Sequence, residues 1–156
     1  MRTDSEPSEP SEPEANRPAA VRQALEVFRD PWSFAVLQEA FFGVRRFDEL
    51  QRNLGISRSV LTRRLGHLVE NGVLERRRYQ RRPDRYEYRL TARGLDMYPI
   101  FLALRTWGER WLENRAMPGP RLIHERCDHV TAPQMVCDHC GETIRAHDVR
   151  YEASGD

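Results

Sequence analysis

Four side chains near the C-terminus have the types and spacing of a metal site. Two residues separate His124 from Cys127, two separate Cys137 from Cys140, and Gly141 follows the last of them. Thiolate and imidazole are ligands that zinc takes, and the short spacing lets both members of a pair converge on one tetrahedral ion. All three cysteines of the chain lie in this segment. In a cytosolic protein such spacing points to a metal or redox site rather than a structural disulfide. The expectation is one structural zinc held by His124, Cys127, Cys137 and Cys140, in a zinc-ribbon-like segment over residues 122–151. His129, His139 and His147 are the alternatives for the fourth ligand, and His139 falls inside the second pair. A redox pair and three unrelated thiols are the competing readings.

A second group carries the chemistry of nucleic-acid contact. Ser57, Arg58, Ser59, Thr62 and Arg63 open a basic helical pattern, and Arg81, Arg82 and Arg85 crowd the bend of a basic hairpin. An arginine donates two hydrogen bonds to a guanine edge, and a threonine hydrogen-bonds a base or touches a thymine methyl. Clustered like charges need a counter-charge, which a phosphate backbone supplies and Glu75 and Asp84 alone do not. A solvated polar face is the bland alternative. What favours DNA is the company these residues keep: a turn, a cap and a hairpin in order.

The elements that position them follow from periodicity and breakers. Val21, Leu25 and Phe28 recur at helical spacing, predicting a first helix over about 19–29. Asp30 and Pro31 are the N-cap and first turn of a second, apolar nearly all round and expected to be the most buried. Gly43 ends it. After the extended link 44–47, Phe47, Leu50 and Leu54 form the inward stripe of a third helix, turned at Gly55-Ile56. Ser57 caps a fourth, whose Leu61, Leu65 and Leu68 share a face, and Asn71-Gly72 stops it. His67 falls beside that stripe, a boundary residue rather than a ligand. Residues 73–79 and 86–90 read as strands with the turn at Pro83-Asp84. Thr91 caps a long last helix reaching about Arg115. Leu104, Trp107 and Trp111 give it more apolar surface than a small domain needs, which implies a partner helix.

Charge follows the same division. The net charge of +1 combines −3 over residues 1–17, +7 over 21–115 and −3 over 116–156. All 25 basic residues are arginine, which suits bidentate contact but fits a GC-rich genome equally well. Residues 5–13 repeat Ser-Glu-Pro three times, so residues 1–17 are expected to form a disordered acidic tail, either solubilising or competing with DNA for the basic surface. No apolar run approaches a membrane span and the N-terminus lacks a signal-peptide core, so the cytoplasm is the expected compartment and no membrane partner is implied.

Residues 20–112 resemble the HxlR-type winged helix-turn-helix regulators, relatives of the MarR group. The match rests on PWSFAVLQEAFFGVRRFDEL, then ISRSVLTRRLGHLVENGVLERR, then YEYRLTARG and the later W-x-x-x-W. The run L-T-x-R-L-x-x-L followed by N-G-V-L-E-R is its most specific phrase. The resemblance implies a homodimer on operator DNA, with the helix bearing LTRRL as recognition helix, the hairpin as wing, and the first and last helices as dimer contact. Many members carry a cysteine near the start of the first helix, some as an oxidant sensor. Here that region reads RPAAVRQAL, so no thiol switch operates there.

The expectation is a mainly α fold with a small β-hairpin wing over residues 18–115, plus the C-terminal appendage. Its function is that of a sequence-specific transcriptional regulator, a homodimer on double-stranded operator DNA. A small-molecule effector is left open. The alternative is a metal- or redox-dependent protein-interaction module on the same fold. No nucleophile–base pair or cofactor loop stands out, so no enzymatic activity is expected. A hydrolase using the zinc would need an open coordination position.

Overall fold

The computed structural model describes residues 19–112 and 120–152. The acidic Ser-Glu-Pro segment lies outside them, as does the expected end of the last helix at Arg115. The chain divides into two compact units, Met1–Arg89 and Leu90–Asp156.

In the first unit α1 spans Ala19–Phe28, α2 Pro31–Phe41, α3 Phe47–Leu54 and α4 Arg58–Glu70. Strands β1 (Leu74–Arg81) and β2 (Asp84–Leu90) follow as an antiparallel hairpin, turning at Arg82-Pro83, one residue before the expected Pro83-Asp84. The starts and stops have local causes. The Asp30 carboxylate accepts from the N–H groups of Trp32 (2.9 Å) and Ser33 (3.1 Å), capping α2, and Pro31 occupies a first-turn position whose N–H has no helical partner. Gly55 ends α3 at φ 64°, a left-handed conformation that costs glycine nothing and a branched residue much. Ser57 Oγ accepts from Val60 N–H, starting α4.

Packing draws one face of each helix inward. Val36 and Leu37 of α2, Leu50 of α3, Leu61, Leu65 and Leu68 of α4, and Val73 and Leu74 at the start of β1 are all buried. Each such leucine is worth about 1.5–3 kcal/mol of burial. Helix α2 packs on α3 and α4, and α4 on β1. Burial on α2 is not all round, because Trp32 in its first turn is exposed. The link before α3 joins the sheet: Tyr88 N–H donates to Arg45 C=O at 2.8 Å, and Arg46 bridges Glu87. Three close-packed helices and a hairpin with this extra bridge make a winged helix-turn-helix, as the sequence leads one to expect.

The second unit departs from expectation at its first helix. Thr91 does cap, accepting from Gly94 N–H at 3.1 Å, but the helix it starts, α5, covers only Ala92–Leu95. A separate α6 spans Tyr98–Trp111. Pro99 is the reason. It lacks the N–H that a continuous helix would bond to Leu95, and its ring crowds that carbonyl, so it occupies the first turn of a new helix instead. Trp107 and Trp111 on α6 are 56% and 64% exposed. Beyond residue 120 come two short hairpins. In one, β3 (Ile123–His124) pairs with β4 (His129–Val130); the other is closed by the Val136–Thr143 bridge. Among the described residues no helix is long and apolar enough to cross a membrane.

Candidate nucleic-acid interface

Helix α4 turns two different faces to its surroundings. Leu61, Leu65 and Leu68 point into the core, while Ser57, Arg58, Ser59, Thr62 and Arg63 are exposed around its N-terminal half. The cap residue Ser57 is also 3.1 Å from Ser59 Oγ. Thr62 Oγ1 donates to Arg58 C=O at 2.8 Å, so its proton is used within the helix and its methyl and lone pairs remain for a ligand. Arg58 places its guanidinium 4.9 Å from the centroid of the Phe47 ring, an arrangement that holds a flexible side chain near the start of both α3 and α4. Arg63 makes no ion pair among the described residues.

Its neighbour Arg64 is committed elsewhere. Arg64 Nη1 lies 2.9 Å from Asp30 Oδ2, with both side chains largely buried. The contact is close but not aligned as a hydrogen bond, since Asp30 Oδ2 and Arg64 Nε have no hydrogen-bond partner. One carboxylate therefore caps α2 through one oxygen and neutralises α4 through the other. His67 is likewise held by structural contacts. Its Nε2 sits 3.2 and 3.1 Å from the Glu26 and Val27 carbonyls at the end of α1, and its Nδ1 3.3 Å from Asn71 Nδ2.

The hairpin arginines divide in a way that spacing alone does not reveal. Arg76 lies 3.7 Å over the Tyr86 ring, and Arg78 pairs with Asp84 at 3.5 Å. Arg81, Arg82 and Arg85 are exposed at the tip and make no ion pair among the described residues. Within the hairpin Arg78 thus has a carboxylate and Arg76 a ring, while exposed Arg77 and the three tip arginines make no ion pair among the described residues. Arg46 was not among the expected contacts. It is exposed, stacks 5.1 Å over Tyr79 and immediately precedes α3; its place after an apolar helix and a glycine was the only signal in the sequence.

The four expected metal ligands are brought together in pairs. His124 Nδ1 is 3.3 Å from Cys127 Sγ. Cys137 receives hydrogen bonds first from the Cys140 N–H, then from the His139 N–H and the Cys140 side chain, and these hold its thiol below the ordinary thiol range against a small opposing effect of burial. All three cysteines are free thiols. Among the described residues no three of His, Cys, Asp and Glu gather at one point, so the two pairs stand as separate half-sites. His129 Nδ1 is hydrogen-bonded to the Cys127 carbonyl.

Comparison with known proteins agrees with this geometry. Residues 27–116 match the family described as HxlR-like helix-turn-helix. The chain is 44% identical over 133 residues to a protein of Mycobacterium bovis named an HTH-type transcriptional regulator, covering 85% of this chain and 84% of the relative. A Synechocystis protein of the same description is 37% identical over 97 residues, covering 62% and 72%. Among solved structures, one assigned as a transcription factor superposes with a TM-score of 0.76 at 31% identity, covering 90% of this chain and 97% of the other. Another from Pseudomonas aeruginosa superposes at 0.62 with 34% identity, covering 85% and 90%.

Proposed function

The chain belongs to the HxlR-like helix-turn-helix family, whose relatives are named transcriptional regulators, and from that premise we propose that it acts as a homodimer on operator DNA. The observation that carries this reading is the pairing of two exposed arginine groups within one unit: Arg58 and Arg63 on α4, and Arg81, Arg82 and Arg85 at the hairpin tip. In the reading, α4 enters the major groove with Ser57, Arg58, Ser59, Thr62 and Arg63 toward the base edges, and the tip arginines sit on phosphates. Dimerisation would cover the exposed Leu104, Trp107 and Trp111 of α6 and the exposed Val21 and Leu25 of α1. The two recognition helices would then read half-sites roughly 34–36 Å apart.

The test uses duplexes that the purified protein selects from a random pool, compared with unselected duplex. Arg58→Ala and Arg63→Ala should weaken selected DNA more than unselected DNA, by about 1–3 kcal/mol. Arg82→Ala should weaken both equally and make the salt slope shallower by about one unit. Binding without a salt slope would overturn the proposal and favour a protein-interaction role on the same fold.

A further inference from the structure

The two C-terminal hairpins repeat one another. His124, Cys127, Asp128, Ile123 and Val130 each recur 13 residues later as Cys137, Cys140, Gly141, Val136 and Thr143. The correspondence is structural. Asp128 N–H donates to His124 C=O at 2.8 Å, and Gly141 N–H donates to Cys137 C=O at 2.8 Å. Asp128 and Gly141 both have positive φ, 55° and 74°, a cost that aspartate bears and glycine escapes. Ile123 pairs with Val130 as Val136 pairs with Thr143. Each turn therefore ends in the same bend and presents two metal-binding side chains from the same two positions.

We propose that this segment binds one zinc ion per chain through His124, Cys127, Cys137 and Cys140, each turn supplying two of the four ligands. The spacing within the first turn fits a shared ion, and since no three such side chains gather at one point among the described residues, binding would draw the two turns together. With Zn–N of about 2.05 Å and Zn–S of about 2.3 Å, tetrahedral ligands lie about 3.6 Å apart, and the His124–Cys127 separation is 3.3 Å. In the second turn Gly141 N–H closes the bend on Cys137 C=O at 2.8 Å, and Cys137 N–H donates to Glu142 C=O at 2.8 Å, which fixes the backbone that carries both cysteines. His124 takes the fourth place because its ring already lies beside Cys127 at the position that Cys137 fills in the second turn, whereas His139 lies between the two cysteines. Over residues 120–152 no side chain is buried; Ile123, Val130, Met135, Val136, Ile144 and Val149 are all exposed. Two ordered hairpins without a core require a cross-link, and a metal joining two half-sites provides one. The inference is independent of DNA binding.

The experiment is metal analysis of the full chain, tag removed, purified without added zinc. About one zinc per chain is expected, with all three thiols protected until a chelator is added. Replacing zinc with Co2+ should give the spectrum of a tetrahedral thiolate site, lost in Cys137→Ser. His124→Ala should lose the metal and His124→Cys should retain it, whereas His139→Ala and His147→Ala should bind as the parent does. Should the alanine variant misfold, the cysteine variant still tests the fourth position, because a merely structural histidine would not be replaced by a thiol. Chelation should remove hydrogen-exchange protection from residues 122–151 and leave α2, α3 and α4 protected. Less than about half an equivalent of zinc with freely titrating thiols, an intact mass showing a Cys137–Cys140 disulfide, or metal retained in His124→Ala would each overturn the proposal.

Discussion

Replacing Asp30 tests how α4 is held. The Asp30 carboxylate caps α2 through the Trp32 and Ser33 N–H groups and faces Arg64 at 2.9 Å, with side-chain exposures of 19% and 17%. Losing an N-cap costs about 1 kcal/mol. Stranding one partner of a fully buried pair costs about 3–5 kcal/mol, and the residual exposure and poor hydrogen-bond alignment reduce that here to about 2 kcal/mol. Asp30→Ala should therefore destabilise the protein by about 3 kcal/mol. Asp30→Asn keeps an oxygen for the cap and loses the charge, so its cost should be about 2 kcal/mol. Urea unfolding monitored by circular dichroism measures both. If Asn matched the parent while Ala lost only about 1 kcal/mol, the Arg64 pair would contribute nothing and the argument would fail at that link. If the two variants were equally destabilised, the cap would be the part that fails.

Arg64→Ala should lower stability yet leave the salt slope of DNA binding unchanged, the opposite of a phosphate contact; a slope shallower by about one unit would move Arg64 to the DNA face. Leu65→Ala removes a fully buried side chain from the centre of α4 and should cost about 2–5 kcal/mol in the same unfolding measurement; a loss within about 0.5 kcal/mol would place Leu65 on the surface. Trp107→Asp should shift sedimentation from dimer to monomer at micromolar concentration, and a monomeric parent would refute the dimer.

The helices of the first unit are legible because their boundaries rest on residues with few alternatives. Asp30-Pro31, Gly55 and Ser57 each satisfy a particular backbone requirement, and the leucines of α4 have one spacing that buries them. The break between α5 and α6 is harder to read, because the apolar residues run through it and suggest continuity; the decisive signal is the single Pro99. The division of the hairpin arginines is not legible at all. Which arginine meets Tyr86 or Asp84 depends on where side chains lie across the hairpin, and a count of charges carries no such information. The histidine and cysteines proposed as ligands show their pairing in one dimension, but the matching bends at Asp128 and Gly141 need backbone angles.

The bridge between the link and β2 has a mechanical consequence. Arg45 and Arg46 lead directly into α3 while bonded to Tyr88 and Glu87, so the hairpin is fastened to the helix-turn-helix rather than hinged from it. The distance from α4 to the hairpin tip is then a property of the protein that the duplex has to match. Sequences whose minor groove narrows or widens easily would meet that span at lower deformation energy than stiff ones. Selectivity would extend to base pairs that no side chain reaches, and duplexes differing only in flexibility between the two contact zones should separate in affinity.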